Sequence, residues 1–275
     1  MVLEKGEVWD ETRTGFEFVH TKIIFTNNGK LYYVITDRRF ATESDVPLEE
    51  FEQEGILIPY EDVRPMCPRR AGFSRAPNPL PLNCYVKTPS LLEHTRGSTR
   101  SLRLILQEAR VCQVLAKYPH PNISKYYGCQ VDNGRIMGLC FAQFEQTLDD
   151  RKWDPEIITQ ADAWFEGIRR GVLHLHSLGL VHNDINPSNI MFAAGDNTPV
   201  LIDFDSCRPI GAPLGIKSGT LGWSAHEGGK RLSLPENDLY GLRKIREFLN
   251  EWKRKAQKAA REGEVLKKTA FRWPW

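Results

Sequence analysis

The sequence has no long apolar run. Its hydrophobic stretches all fall short of the roughly 18 residues that a membrane-spanning helix requires. Residues 1–7 lack both the apolar core of a signal peptide and the composition of a transit peptide. We therefore expect no membrane partner and a cytoplasmic or nuclear location.

An excess of one charge is also missing. The 275 residues include 37 Lys and Arg and 35 Asp and Glu, a net charge of +2. A nearly neutral chain has no overall field that attracts nucleic acid, so we do not expect a nucleic-acid partner. The exception is local, because residues 243–275 hold eleven Lys and Arg against four Asp and Glu. This distribution predicts a basic C-terminal helix with its charges in solvent, and the alternative is that it docks an acidic partner or nucleic acid.

Cysteine pairs of the kind that bind zinc are absent. None of the six cysteines forms a CxxC motif, and their spacing fits neither a zinc site nor a small disulfide-linked scaffold. The sequence therefore predicts reduced, mostly buried thiols.

Apolar residues are plentiful enough for a folded core, at 41% of the chain. β-Branched and aromatic residues dominate residues 16–25 and 31–36, and the NNG sequence between them predicts a β-hairpin. Residues 65–81 contain five prolines and predict an irregular segment. Further short strands are predicted at residues 84–87, 125–131, 136–144 and 200–202.

Helical periodicity dominates the second half of the chain. Apolar residues recur every three or four positions in residues 101–117, 161–177 and 237–258, which predicts three amphipathic helices. A β-rich first half with one helix, followed by a helical second half, indicates two lobes.

Three motifs that can carry chemistry follow one another in the second half. Residues 182–189 read HNDINPSN and contain HxDxxxxN. Asp203-Phe204-Asp205 comes directly after an apolar strand, and residues 219–227 read GTLGWSAHE. In this order, the motifs resemble the catalytic loop, the DFG metal motif and the end of the activation segment of protein kinases.

Residues upstream fit the same family. Lys87, in the sequence YVK, stands where the family has its strand lysine, and Glu108 stands where it has the ion-pairing glutamate. HPNI at residues 120–123 and DLYGL at residues 238–242 match further family positions, so the resemblance covers residues 87–249.

The resemblance implies an α+β, two-lobed protein-kinase-like fold. Residues 65–146 would form a β-rich small lobe, and residues 147–275 a mainly helical, shortened large lobe that ends in the basic helix. Residues 1–64 would form an N-terminal extension with a β-hairpin, part of the small lobe or packed on it.

The resemblance also implies ATP and Mg²⁺ as cofactors. Lys87, held in place by Glu108, would contact the α- and β-phosphates. Asn189 and Asp203 would bind the metal, because an amide oxygen and a carboxylate are the hard ligands that Mg²⁺ prefers.

The implied reaction is transfer of a phosphoryl group to a hydroxyl. Asp184 would orient that hydroxyl and accept its proton, and Thr220 would hydrogen-bond into the catalytic loop and help to place the substrate. A serine or threonine of a protein is the expected acceptor. A small-molecule substrate is an alternative, because residues 182–187 also lean toward the HGDxHP loop of small-molecule kinases.

The chain departs from the family in its phosphate-binding residues. No GxGxxG motif precedes Lys87, so Arg69, Arg70 or Arg75 are candidates to cover the phosphates with side chains. Asp205 replaces the glycine of DFG.

The catalytic loop departs from the family as well. Asn183 replaces the arginine of HRD, and Asn186 replaces the lysine that follows the catalytic aspartate in serine/threonine kinases. These departures leave three functions open: an active protein kinase, a catalytically weak or inactive kinase-like binding module, and a small-molecule kinase.

Overall fold

The structure is a computed structural model that describes residues 1–12, 15–68, 72–215, 217, 219–224 and 232–263. Its first part is a four-stranded antiparallel sheet in the order β1-β2-β3-β4. The predicted hairpin is confirmed, with Asn28 and Gly29 at φ 47° and 71° in a turn that needs left-handed residues. The elements of this part are β1 (Val2–Thr12), β2 (Gly15–Asn27), β3 (Lys30–Thr36), α1 (Leu48–Phe51), β4 (Ile56–Ile58) and α2 (Tyr60–Val63).

Both faces of this sheet are buried along β2. Ile23 and Phe25 point to one side, where Phe51 and its neighbours cover them. Ile24 points to the other side and packs with Leu91, which lies outside the sheet. The sheet is therefore fixed to the segment that follows residue 87.

The second part contains a separate three-stranded sheet in the order β5-β7-β6. Its strands are β5 (Cys84–Lys87), β6 (Tyr126–Asp132) and β7 (Arg135–Ala142), and the helix α3 (Arg100–Lys117) packs on it. All four elements were predicted from the sequence. The N-terminal hairpin belongs to the other sheet and does not pair with β5.

In its described residues, 65–68 and 72–81, the proline-rich segment forms no named strand or helix. It runs past the β6–β7 turn, where the Cys67 amide donates to Gly134 O, and then along the outer edge of β6. There the amides of Ala76 and Cys129 donate to Cys129 O and Ser74 O at 2.9 and 2.8 Å. The segment therefore lies at the edge of the sheet opposite to β5.

The last part is mainly helical, with α4 (Leu148–Arg151), α5 (Ile157–Ser177) and α6 (Pro235–Glu262). Its short strands are β8 (Gln146–Thr147), β9 (Leu180–Val181), β10 (Ile190–Phe192), β11 (Val200–Leu201) and β12 (Arg208–Pro209). The fully buried side chains of Trp164, Ile168 and Phe192 form part of one core that continues into α3 and β7.

The helix α6 carries the basic residues predicted for the end of the chain, including Lys253, Lys255 and Arg261. Lys267, Lys268 and residues 271–275 lie outside the described residues. No helix in the described part of the chain combines the length and the apolar character that a membrane crossing requires.

Candidate active site

The centre of the candidate site is an ion cluster around Lys87. Its Nζ atom lies 2.7 and 2.8 Å from the two carboxylate oxygens of Glu108 and 2.7 Å from Asp203 Oδ1. Strand β5, helix α3 and the loop after β11 therefore meet at one ammonium group. Glu108 also accepts a hydrogen bond from the Phe204 amide, so helix α3 is tied to the Asp203-Phe204-Asp205 loop through backbone as well.

Mutual charge controls the protonation of this cluster. Burial alone would lower the pKa of Lys87, but Glu108, Asp203 and Asp205 outweigh it and raise that pKa. Burial alone would raise the pKa of Asp203, but Lys87 and Lys217 hold it well below its usual range. Both groups are therefore charged at neutral pH.

Asp205 has its own partner in this structure. Its carboxylate forms a short ion pair with Lys217 and lies 3.9 Å from Lys87 Nζ. The carboxylate that replaces the glycine of DFG is thus neutralised by a lysine of the following segment. Asp205 joins this segment to the ion cluster.

Hydrogen bonds hold Asp184 in a fixed orientation. Its Oδ1 atom accepts from the Thr220 amide at 2.9 Å, from Thr220 Oγ1 at 2.8 Å and from Asn186 Nδ2 at 2.9 Å. Its Oδ2 atom accepts from Asn189 Nδ2 at 3.0 Å. Asn186 Oδ1 in turn accepts from the amides of Ser188 and Asn189 and caps the 3-10 turn that carries Asn189.

Buried Asp238, in the first turn of α6, holds the loop that begins at His182. Its carboxylate accepts from the amides of His182 and Asn183 at 2.9 and 2.8 Å and lies 2.9 Å from His176 Nε2. A methyl group at Gly241, one helical turn later, would lie 2.8 Å from Ile185 O, so α6 approaches the loop closely. Residues 182–185 therefore rest directly on α6.

Asn183, at the position of the family's arginine, is a structural residue. Its φ of 66° is left-handed, a conformation that asparagine tolerates better than most residues. Its side-chain amide donates to Val181 O, Ser206 O and Ser233 Oγ. The residue joins the catalytic loop to the segment after residue 205.

A cleft of about 330 Å³ opens beside the ion cluster. Its lining includes Tyr85, Lys87, Phe141, Phe144, Met191 and Asp203. A larger cavity of about 650 Å³, which Leu115, His120 and Asp196 help to line, contacts none of the six predicted site residues. The 330 Å³ cleft lies next to the candidate chemistry, and so does a further cavity of about 420 Å³ that Lys87, Glu108 and Lys217 help to line.

The predicted metal ligands have oxygen atoms to spare. Asn189 uses its Nδ2 for hydrogen bonds to Asp184, and Asp203 uses its Oδ1 for Lys87 and the Asp205 amide. Within the described chain, Asn189 Oδ1 and Asp203 Oδ2 have no hydrogen-bond partner. One amide and one carboxylate oxygen suit Mg²⁺, which usually takes only one or two protein ligands. The described part of the chain contains no group of three or more His, Cys, Asp or Glu side chains that could hold a metal ion.

The suggestion that Arg75 covers the phosphates is wrong. The backbone of Arg75 forms an isolated parallel β-bridge with Cys129 on β6. This strand lies at the opposite edge of the sheet from β5. Backbone pairing of the proline-rich segment with β6 fixes it there. Arg69 and Arg70, like the His226-Glu227 end of the third motif, lie outside the described residues.

Sequence reasoning missed two features of the site. One is the place of Tyr85 in the cleft, and the other is the ion pair of Lys217 with Asp205. Tyr85 lies two positions before Lys87 on β5, and side chains two apart on a strand share a face. That spacing could have indicated Tyr85 from the sequence. No local pattern indicates Lys217, because its position depends on how the segment after residue 205 folds back.

Comparison with known proteins was made by family, by sequence and by structure. The protein kinase domain family matches residues 90–242, more than half of the chain. The chain is 32% identical over 126 residues to the serine/threonine-protein kinase/endoribonuclease IRE1 of Hypocrea jecorina, covering 39% of this chain and 10% of that protein. It is 33% identical over 149 residues to serine/threonine-protein kinase D of Synechocystis sp., covering 51% and 29%.

A crystal structure of the yeast RNA Pol II CTD kinase CTDK-1 complex superposes with a TM-score of 0.47 and 21% identity, over 54% of this chain and 50% of that one. The chain spans less than a third of the length of each of the two relatives described above.

Proposed function

This chain belongs to the protein kinase domain family, and from that premise we propose that it transfers the γ-phosphoryl group of ATP to a serine or threonine of a protein. The proposal depends above all on the ion cluster in which Lys87 contacts Glu108 and Asp203 at 2.7 Å. Without the carboxylates of Glu108 and Asp203, the Lys87 side chain would not be held at one place in the cleft.

The residues of the chain divide the work of phosphoryl transfer. Such transfer needs charge neutralisation on the phosphates and in-line placement of the acceptor. Lys87 would bind the nucleotide phosphates. Asn189 Oδ1 and Asp203 Oδ2 would hold Mg²⁺, which neutralises phosphate charge when bound.

Asp184 would place the acceptor hydroxyl and take its proton. Its two oxygens are oriented by Asn186, Asn189 and Thr220, so little reorganisation is needed when a hydroxyl arrives. The contact of Thr220 with Asp184 supports a protein acceptor, because it brings the segment around Gly219 to the catalytic carboxylate. In protein kinases this segment helps to place the substrate.

The test is ATP turnover with Mg²⁺ and a mixture of Ser- and Thr-containing peptides, for the wild type, Asp184→Ala and Asp203→Ala. Asp132→Ala is the matched control, because Asp132 is an exposed residue at the end of β6. We expect Asp184→Ala to lower turnover by about 100-fold or more with ATP binding retained. Asp203→Ala should lower turnover and also remove the Mg²⁺ dependence of ATP binding.

Turnover that is absent in the wild type while Mg·ATP still binds would contradict phosphoryl transfer and favour a binding module. Turnover of ATP with small hydroxyl compounds but not with peptides would favour a small-molecule kinase. Equal turnover in all four proteins would show that the activity does not come from this site.

A further inference from the structure

The segment between Asp205 and Thr220 is fixed by backbone pairing in its first half. Its strand β12 pairs with β9, and Pro213 further on forms a backbone bridge with Leu232. For the next described residues, 214, 215, 217 and 219, the structure shows no backbone hydrogen bond to another part of the chain. The position of this second half therefore depends on side-chain contacts.

Two side chains from the start of the segment reach its second half. Arg208 lies against Gly215 and leaves no room there for a Cβ atom. The guanidinium of Arg208 donates to the carbonyls of Asp205 and Cys207, which both belong to the start of the segment. The carboxylate of Asp205, in contrast, forms its short ion pair with Lys217, twelve residues further along the chain.

Asp205 can act as an anchor because it is itself fixed. Its side chain is only 9% exposed, whereas that of Lys217 is 45% exposed. The Asp205 amide donates to Asp203 Oδ1, and Asp205 Oδ1 accepts from Ser206 Oγ, both at 3.3 Å. Lys217 lies at the surface, so its side chain would adopt many rotamers without this carboxylate.

The ion pair lies close in sequence to Thr220, whose amide and Oγ1 donate to Asp184 Oδ1. Thr220 is seven residues after the bridge at Pro213 but only three after Lys217. The local concentration of one chain end at the other falls roughly as the −3/2 power of the number of residues between them. Fixing Lys217 therefore raises the local concentration of Thr220 at Asp184 by about three- to fourfold.

We propose that Asp205 and Lys217 are positioning residues, whose ion pair holds Thr220 at Asp184 and so forms the acceptor side of the site. The inference rests on the proposed function, which gives Asp184 its role toward the acceptor hydroxyl. The carboxylate that replaces the glycine of DFG then has a task that glycine, which has no side chain, cannot perform. Because Asp205 also lies 3.9 Å from Lys87 Nζ, the ion pair connects the acceptor side to the ion cluster.

Two other roles for Lys217 predict different behaviour. Lys217 and Lys87 help to line the same cavity of about 420 Å³, so Lys217 could instead bind nucleotide phosphates. In that case nucleotide affinity depends on Lys217. Lys217 could also serve only to neutralise the carboxylate of Asp205. In that case the effect of removing Lys217 disappears when Asp205 is made neutral.

The experiment compares the wild type with Lys217→Met, Asp205→Asn, the double variant with both changes, and Lys217→Arg. Lys30→Met is the matched control, because Lys30 is an exposed lysine at the start of β3. The measured quantities are the hydrogen-exchange rate of the Thr220 amide by NMR, the dissociation constant of Mg·ATP by calorimetry, and KM for a peptide that the wild type phosphorylates. Thermal unfolding of each variant checks the fold.

We expect Lys217→Met and the double variant to speed exchange of the Thr220 amide by about threefold or more, and to raise the peptide KM by a similar factor. Mg·ATP affinity should stay within about twofold. Asp205→Asn keeps an acceptor oxygen but no charge, so its exchange rate should lie between those of the wild type and Lys217→Met. Lys217→Arg keeps the charge and should recover most of the wild-type behaviour, and Lys30→Met should match the wild type.

Three results would overturn the proposal. The first is unchanged exchange of the Thr220 amide in Lys217→Met. The second is recovery in the double variant, because the effect would then come from the unpaired carboxylate of Asp205. The third is weaker Mg·ATP binding in Lys217→Met with an unchanged peptide KM, because Lys217 would then act on the nucleotide.

The two proposals fail in different ways. A wild-type protein that binds Mg·ATP but transfers no phosphate contradicts the proposed function, and exchange of the Thr220 amide still tests the ion pair. A wild-type protein that phosphorylates peptides, with equal exchange and equal KM in Lys217→Met, overturns the positioning proposal alone.

Discussion

At the scale of single residues, the ammonium group of Lys87 lies close to three carboxylates at once. Glu108, Asp203 and Asp205 all lie within 3.9 Å of its ammonium group, and the Glu108 side chain is only 5% exposed. Burial raises the pKa of Glu108 and Lys87 opposes that rise. Lys87 thus opposes the effect of burial on Glu108, and together with Lys217 it lowers the pKa of Asp203.

We predict that Lys87→Met makes stability depend strongly on pH. Without the ammonium group the pKa of Glu108 rises further above its ordinary value of 4.5, so the stability of the variant falls as pH rises from 5 to 8. The loss should be about 1.4 kcal/mol for each unit by which the pKa rises. In the wild type, the raised pKa of Lys87 keeps its own contribution constant below about pH 10.

The measurement is the free energy of unfolding in urea at pH 5 and pH 8. Lys125→Met, at an exposed position, controls for loss of a lysine. The double variant Lys87→Met, Glu108→Gln should recover much of the stability lost at pH 8, because the buried carboxylate is gone. A Lys87→Met variant that is equally stable at both pH values would refute the charge argument.

At the scale of elements, the N-terminal turn of α6 stabilises the catalytic loop. Asp238→Ala leaves the amides of His182 and Asn183 without an acceptor, at about 1–3 kcal/mol for each buried donor. We expect a loss of about 2–5 kcal/mol in unfolding free energy and a fall in ATP turnover. Asp238→Asn keeps one acceptor oxygen, so its unfolding free energy should lie between those of the wild type and Asp238→Ala.

The control is Glu236→Ala, which removes an exposed carboxylate from the same helical turn and should change stability by about 0.5 kcal/mol or less. Denaturation and turnover are measured on the same preparations. Equal stability of Asp238→Ala and Glu236→Ala would mean that the loop does not depend on α6.

The sequence predicted the elements whose residues repeat or match a motif. The helix α3 and the β6–β7 hairpin follow from apolar spacing and a turn sequence, and Lys87 and Glu108 follow from family spacing. Strand β1 was missed, because two register shifts and the glutamates at positions 4 and 7 interrupt its alternation. The course of residues 65–81 was not predictable, because pairing with β6 fixes it and no local pattern does.

At the scale of the whole molecule, the N-terminal sheet holds the segment between β5 and α3 through hydrogen bonds. Glu4 accepts hydrogen bonds from the Leu91 amide at 3.1 Å and from Ser90 Oγ at 2.7 Å. Lys22, buried on the facing strand, donates to His94 O. The same segment leads into the helix that places Glu108, so the sheet can influence the ion cluster from a distance.

We predict that the double variant Glu4→Ala, Lys22→Met loosens the start of α3. Hydrogen exchange should become faster in residues 90–104 and unchanged in α5, and ATP turnover should fall because Glu108 is held less firmly at Lys87. Glu17→Ala, at an exposed position of β2, is the control. Unchanged exchange in residues 90–104 would mean that the sheet is only a neighbour of the lobe.

The position of the proline-rich segment, at the edge of the sheet opposite to β5, has a consequence for the rate of nucleotide release. In enzymes that close a flap over the substrate, release of product often waits for the flap to open. Here the segment that precedes β5 is held by backbone pairing at the far edge of the sheet. If the chain turns over ATP as proposed, exchange of spent for fresh nucleotide requires no opening of that segment. We expect the spent nucleotide to leave quickly, so that the pace of a catalytic cycle is set by acceptor placement and the chemical step.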